Sequence, residues 1–145
     1  MNKLIHTLFI IGVLIFLCSC KTYYIPVESF KQQFAMVGNS ELKEVITRGP
    51  AGGKLKYKTY PIDVIKCVDS KGNPVELKPS PSLEVRFTEN NNKRTIFYFD
   101  LISVTDTSIT GGQSRFISSM IKTIPFSRIK KIEIQDGKKN YRYVN

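Results

Sequence analysis

Short segments in which apolar and polar residues alternate strictly constrain the fold of this chain more than any other feature. In residues 54–60 lysines occupy the alternate positions 54, 56 and 58, and in residues 83–88 Leu, Val and Phe alternate with Glu, Arg and Thr. A period of two places the apolar side chains on one face of a β-strand, whereas a helix needs a period of 3.6. Turn-forming residues at 49–53 and 90–92 separate the segments. The pattern therefore predicts antiparallel strands with one buried face and one wet face.

One segment has helical periodicity instead. Val27, Phe30 and Phe34 recur at i, i+3 and i+7, which predicts one short amphipathic helix within residues 27–37. The remaining segments amount to seven or eight short strands without the spacing of strand–helix–strand units. With 41% hydrophobic and 23% charged residues, the chain has the composition of a folded domain. We expect a mainly β fold, a small antiparallel barrel or sandwich of about seven to eight strands with one short N-terminal helix.

Two hairpins follow from this pattern. Residues 95–104 are predicted to be the longest strand, paired with residues 83–88, and Asp100 falls on its wet face, either exposed or hydrogen-bonded locally. Asp136 and Gly137 form a two-residue loop suited to a type I′ turn, which pairs residues 132–135 with residues from 138 onward. In that register Tyr141 is buried opposite Ile132.

The beginning of the chain has a different composition. Lys3 supplies a positive charge, and residues 4–17 are largely apolar, although His6 and Thr7 interrupt the run. This order is typical of a secretion signal. An uncleaved membrane helix is the alternative, but the apolar run is shorter than the roughly 20 residues that span a bilayer.

The end of the apolar run, Leu17-Cys18-Ser19-Cys20, resembles the lipobox of bacterial lipoproteins. The family pattern has an aliphatic residue three positions before the cysteine and a small residue directly before it, as in Leu17 and Ser19. Lipidation of Cys18 instead would place bulky Leu17 next to the cleavage site, which fits the pattern badly. The resemblance implies cleavage before Cys20 and a diacyl or triacyl group on Cys20; an ordinary cleaved signal is the alternative.

The resemblance covers only this segment and divides the chain into a signal peptide (1–19), a lipidated tether (20–26) and a single β-rich domain (27–145). Two or more acyl chains hold a protein firmly on a bilayer. In this family an aspartate after the lipidated cysteine can retain the protein in the inner membrane. Because Lys21 occupies that position, we expect a lipid-anchored cell-envelope protein of the outer membrane, on its periplasmic or surface face.

The predicted domain contains little that could support catalysis. The only histidine, His6, lies in the leader, so catalytic arrangements and zinc sites that need histidine are excluded. Once Cys18 is removed and Cys20 is lipidated, Cys67 is the only free cysteine, and we expect it to be a buried, inert thiol. The acidic residues are scattered. We therefore predict no catalytic residue, no cofactor and no metal site.

Charge suggests the kind of partner. The chain has 22 Lys and Arg against 12 Asp and Glu, a net charge of +10. Outside the inner membrane the available polyanions are anionic lipids and acidic glycans, so nucleic acid is not expected. Two groups of residues are candidates for contact with a partner or with headgroups. They are a lysine stripe (Lys54, Lys56 and Lys58) and an apolar lip (Phe116, Ile117, Met120 and Ile121).

Each group also has an interpretation without function. Lysines protect an exposed edge strand from aggregation, and the apolar lip could close the open end of a barrel. The sequence favours a non-catalytic binding or structural module for another macromolecule, an unknown envelope protein or an anionic glycan or lipid. An immunity-type lipoprotein that neutralises an envelope-directed toxin is one version. The alternatives are an envelope hydrolase acting on cell-wall or glycan substrates and a carrier of lipid or another small ligand.

Overall fold

The alternating segments form antiparallel strands, as predicted, but more of them than the sequence indicated. The structure, a computed structural model, describes residues 21–37 and 42–144. These residues contain twelve strands, one α-helix and two 3₁₀ turns, arranged in three antiparallel sheets. None of the three sheets closes into a barrel, so the predicted barrel and the count of seven to eight strands are wrong. The predicted signal peptide and the predicted lipidation site, Cys20, lie outside the described residues.

The elements follow one another in a simple order. The strands are β1 (Thr22–Tyr24), β2 (Lys43–Arg48), β3 (Lys54–Thr59), β4 (Ile65–Val68), β5 (Pro74–Leu77), β6 (Leu83–Glu89), β7 (Arg94–Tyr98), β8 (Ile102–Val104), β9 (Ser108–Gly112), β10 (Ile121–Pro125), β11 (Ile129–Asp136) and β12 (Arg142–Val144). The helix is α1 (Val27–Ala35), and the 3₁₀ turns are Phe99–Leu101 and Phe126–Arg128. Sheet A has the order β5-β4-β1-β11-β6-β7, sheet B the order β12-β2-β3, and sheet C the order β10-β9-β8.

The core lies on the inner face of sheet A. Helix α1, predicted from its apolar spacing, contacts β11, β4 and β8, and its Phe30 ring meets the Phe87 ring edge-on at 5.6 Å. Phe87 in turn packs against Phe97 at 5.4 Å. Sheet C approaches sheet A closely where the backbone of Gly111 lies on the Phe97 ring. The contact requires glycine, since a Cβ at this position would come within 2.4 Å of the ring. Rings and isoleucines therefore fill the interior.

Strand β1 lies within residues that the sequence assigned to the tether. It pairs with β11 on one side and with β4 on the other, and Tyr23 stands opposite Ile134. Three residues are too few to show a period of two, which is why the sequence did not predict this strand. The sheet therefore begins two residues after Cys20.

The predicted long strand over residues 95–104 is interrupted. Strand β7 ends at Tyr98, the 3₁₀ turn Phe99–Leu101 follows, and β8 then pairs with β9 in sheet C rather than continuing in sheet A. Asp100 lies in the turn and is buried, not on a wet face. Most residues of this stretch are aromatic or β-branched, which favours a strand, and Asp100 alone is a weak local signal of the break.

The predicted C-terminal hairpin is wrong. Strand β11 has β1 on one edge and β6 on the other, so no edge remains for a third strand. Lys138 and Asn140 have positive φ angles of 50° and 54°, and the chain loops away to form β12, which pairs with β2. Tyr141 is buried as expected, but against the Tyr98 ring and beside Gly49 rather than opposite Ile132.

Candidate functional site

A buried ion pair stands at the junction of the three sheets. The Arg115 Nη2 atom lies 2.6 Å from Asp100 Oδ1, and the two side chains are 0% and 2% exposed. The same nitrogen donates a hydrogen bond to the carbonyl oxygen of Pro81 at 2.5 Å. Burial of a charge is costly unless the charge is paired and hydrogen-bonded, and both conditions are met here.

Two tyrosines from sheet B complete this cluster. Tyr57 of β3 and Tyr143 of β12 donate their hydroxyl protons to Asp100 Oδ2, the latter at 3.2 Å. Arg115 Nη1 donates to the Tyr57 hydroxyl oxygen at 2.9 Å. We call Asp100, Arg115, Tyr57 and Tyr143 the polar clamp. Because its tyrosines come from the two edge strands of sheet B, the clamp fastens that sheet to the turn between β7 and β8.

Aromatic faces surround the guanidinium of the clamp. The Arg115 Cζ atom lies 4.3 Å from the centroid of the Tyr98 ring and 5.0 Å from that of Tyr141. Cation–π contacts of this kind are stronger in a desolvated site. Arg115 Nε is buried without a hydrogen-bond partner among the described residues, so the rings and Asp100 provide the compensation for its charge.

The clamp has the electrostatics of a structural joint. Burial, followed by the negative charge of Asp100, raises the pKa of Tyr57 and the pKa of Tyr143 above their ordinary values. Both hydroxyls therefore keep their protons at neutral pH and remain hydrogen-bond donors to Asp100. The arrangement holds elements of the three sheets together.

The apolar lip is exposed on the loop between β9 and β10 and on the first residue of β10. Phe116, Ile117, Met120 and Ile121 are 75%, 52%, 42% and 60% exposed. The Ser114 hydroxyl accepts hydrogen bonds from the amides of Phe116 and Ile117, both at 3.1 Å. The Gln113 amide donates to the carbonyl oxygen of Met120 at 2.8 Å. Hydrogen bonds within the loop thus hold its shape, and buried Arg115 fixes its base. Because none of the sheets forms a barrel, the lip does not cover the open end of one.

A groove of about 370 Å³ runs beside the lip. Its floor is the outer face of sheet C, and its walls are strand β3 and the loop between β9 and β10. The lining residues are Leu55, Lys56, Tyr57, Leu101, Ser103, Thr110, Gly111, Gly112, Ser114, Arg115, Ser118 and Ile121. Lys56 of the stripe and Ile121 of the lip line the same groove. The groove thus brings one residue of the stripe and one of the lip together, whereas Lys54, Lys58, Phe116, Ile117 and Met120 do not line it.

The lysine stripe lies on the outermost strand of sheet B. Lys54, Lys56 and Lys58 are exposed, and β3 has β2 as its only neighbour in the sheet, so its other edge is open along the groove. Lys56 Nζ lies 2.9 Å from Glu44 Oε1 at the surface. Within residues 21–37 and 42–144, neither Lys54 nor Lys58 has an ion-pair partner. The expectation that the stripe belongs to an edge strand is confirmed.

The other buried carboxylates are also held by cations. Arg128 Nη2 lies 2.6 Å from Glu89 Oε2, and Lys139 Nζ lies 2.5 Å from Glu84 Oε1. Cys67 is free and buried, as predicted, and burial raises the pKa of its thiol. In the part of the chain that the structure describes, no group of three or more metal-binding side chains is found.

Sequence reasoning missed the polar clamp. Tyr57 and Tyr143 both carry a signal, because each occupies the apolar phase of an alternating segment. The sequence carries no signal that distinguishes Asp100 and Arg115 from surface residues, because their partners lie 15 to 58 positions away in the chain.

Comparison with known proteins gives no relative. No family model, no curated protein and no solved structure matches this chain. Among the described residues no helix has the length and apolar character needed to cross a membrane.

Proposed function

We propose that this chain is a lipid-anchored, non-catalytic binding module of the cell envelope. Its groove would hold an extended, acidic segment of another envelope protein. The observation that carries the proposal is the groove itself, which combines an open strand edge, apolar side chains and Lys56, with Lys54 and Lys58 on the same strand. The anchor is Cys20, proposed from the lipobox resemblance.

The open edge of β3 indicates how such a segment would bind. An extended peptide can add to an exposed strand through main-chain hydrogen bonds, while neighbouring pockets accept alternate side chains. Leu55, Leu101 and Ile121 supply apolar contacts along the groove. The stability of this surface comes from the polar clamp, which fixes β3 on one side of the groove and the lip loop at its end.

Charge favours an acidic occupant. The stripe projects three ammonium groups beside the open edge, and the whole chain has a net charge of +10. The Lys56–Glu44 pair is exposed, and exposed pairs contribute at most about 1 kcal/mol. An acidic segment can therefore compete with Glu44 for Lys56 at little cost.

The interior supports this proposal over a carrier. A carrier needs an apolar cavity that encloses most of its ligand, whereas Phe30, Phe87 and Phe97 fill the space between α1 and sheet A. An envelope hydrolase is supported less, because the buried carboxylates Asp100, Glu84 and Glu89 each contact a cation.

Site-specific photo-crosslinking tests the groove. A photoreactive amino acid replaces Leu55 in the groove or, as control, Val64, which is 43% exposed outside it. We expect a crosslinked envelope protein from position 55 only. Lys56→Glu with Lys58→Glu should reduce its yield about tenfold, while Lys71→Glu, in a distant turn, should not. Equal yields from positions 55 and 64, or insensitivity to the stripe variants, would contradict the proposal.

Metabolic labelling tests the anchor separately. Cells grown with an alkyne-tagged palmitate should label the wild-type protein and the Cys67→Ala variant, because Cys67 is buried inside the domain. The Cys20→Ala variant should lose all labelling and accumulate as a precursor. Label that persists in Cys20→Ala would show that the anchor lies elsewhere.

A further inference from the structure

The lip lies at the end of the domain from which the chain leaves toward Cys20. Thr22 opens β1 and stands opposite Gln135 of β11, which stands opposite Glu84 of β6, which stands opposite Tyr98 of β7. These four residues therefore form one row across sheet A. Adjacent strands are about 4.8 Å apart, so Thr22 and Tyr98 are separated by about 15 Å.

Ring contacts continue this row to the lip. The Tyr98 centroid lies 6.0 Å from that of Tyr141, which lies 6.4 Å from that of Phe116. Cys20 is two residues before Thr22 and adds a reach of at most about 7 Å. The lip therefore adjoins the end of sheet A at which the chain continues toward Cys20.

The chemistry of this end suits a bilayer with anionic headgroups. The four side chains of the lip are apolar and exposed, three on the loop between β9 and β10 and Ile121 at the start of β10. Exposed apolar clusters of this kind on a protein surface mark interaction sites. Lys21, Lys78 and Lys138 line one depression of about 450 Å³ at the start of β1. Lys139 stands next to the Tyr98 ring at 5.0 Å. Basic groups near a membrane surface are attracted to anionic lipids.

We propose that the lip inserts into the interface of the bilayer that holds the Cys20 lipid, as a second membrane contact. The inference rests on the anchor in the proposed function. A protein partner on the lip is less favoured, because it would have to fit between the domain and the bilayer to which the domain is tethered. Two contacts would fix the orientation of the domain. The groove, which shares Ile121 with the lip, then opens beside the bilayer and receives a segment of the partner close to the membrane.

A single tryptophan tests this contact, because the chain contains none. The full lipidated protein carrying Phe116→Trp is reconstituted into phosphatidylethanolamine–phosphatidylglycerol vesicles with or without brominated acyl chains. Val64→Trp is the matched control. Both positions are exposed. Val64 precedes β4 and lies at the far end of sheet A from Thr22.

We expect brominated lipid to quench the Phe116→Trp variant about twofold more than the Val64→Trp variant, and its emission to shift to the blue. Replacing phosphatidylglycerol by phosphatidylcholine should reduce this difference. Equal quenching of two variants that both float with the vesicles would overturn the lip contact and leave the anchor intact. Failure of both to float, with no acyl group on Cys20, would overturn the anchor as well.

Discussion

The apolar core and the polar clamp are both buried, yet they hold the molecule together in different ways. The core consists of rings and isoleucines whose attraction is non-directional and distributed over many contacts. The clamp consists of one ion pair and two hydroxyl groups, and each member depends on the others. The loss of one member leaves a buried charge or donor without its partner. The core therefore sets the fold, whereas the clamp sets the position of sheet B and the lip.

This difference has a functional consequence. Tyr57 belongs both to the clamp and to the wall of the groove, and Arg115 belongs both to the clamp and to the base of the lip. The surfaces that we propose for binding thus depend on the smaller of the two buried regions. Damage to the core should unfold the whole domain. Damage to the clamp should, besides lowering the stability of the domain, release these surfaces locally.

Truncation of a core ring should have the largest effect. Phe87→Ala removes a fully buried ring that contacts Phe30 and Phe97. The free energy of unfolding should fall by about 4 kcal/mol, as measured by urea denaturation. Ile96→Ala on the half-exposed outer face of β7 is the control and should cost about 1 kcal/mol or less. Similar costs at the two positions would mean that the inner face of sheet A is not the core.

Removal of the negative charge from the clamp should cost somewhat less. Asp100→Asn leaves the Arg115 guanidinium buried without a counter-charge, and we expect a loss of about 3 kcal/mol. Arg115→Met alone should be similarly costly, but the double variant should recover much of the loss because neither charge remains. A double-mutant cycle measures this coupling. Additive costs would show that the two side chains do not act as a pair.

Alkaline pH should weaken the clamp by a smaller amount. The pKa values of Tyr57 and Tyr143 are raised by burial and by Asp100. Because each folded-state pKa exceeds the ordinary value of about 10, the contribution of these hydroxyls is complete below that pH and is lost as the pH rises above it. The urea midpoint should therefore fall above about pH 10.

The matched control for this pH effect is Tyr57→Phe with Tyr143→Phe, which should flatten the fall. The hydrogen bond to Glu84 raises the pKa of Lys139, so the contribution of this lysine to stability is also lost as the pH rises. This part of the fall remains in the double variant. A midpoint that falls equally in wild type and double variant would contradict the role of the tyrosines.

Some of the fold could be predicted because the signal is local. Strand β3 shows a period of two between glycines and prolines, and α1 shows its apolar spacing, so both were found near their true bounds. The hairpin at Asp136 and Gly137 also has a strong local signal, but β1 and β6 occupy both edges of β11 and override it. Tertiary pairing thus decides where local preference permits more than one partner.

The clamp could not be predicted because it, too, depends on contacts between residues that are distant in the chain. Asp100 lies in a stretch rich in aromatic and β-branched residues, which predicts a strand, and the 3₁₀ turn Phe99–Leu101 directs it inward. Its hydrogen bonds to Tyr57 and Tyr143 each span 43 residues. The lip and the stripe, by contrast, were identifiable as unusual surface residues, although the groove that joins them depends on the packing of sheets B and C.

Amide hydrogen exchange of the Asp100→Asn variant, in which the buried Arg115 has lost its counter-charge, tests the central claim most directly. If the clamp fixes the binding surfaces, exchange should accelerate at the Gln113 amide of the lip loop and in β3, while β6 and β11 keep the protection of the wild type. A uniform acceleration across all three sheets, or unchanged protection in the lip loop and β3, would contradict the account.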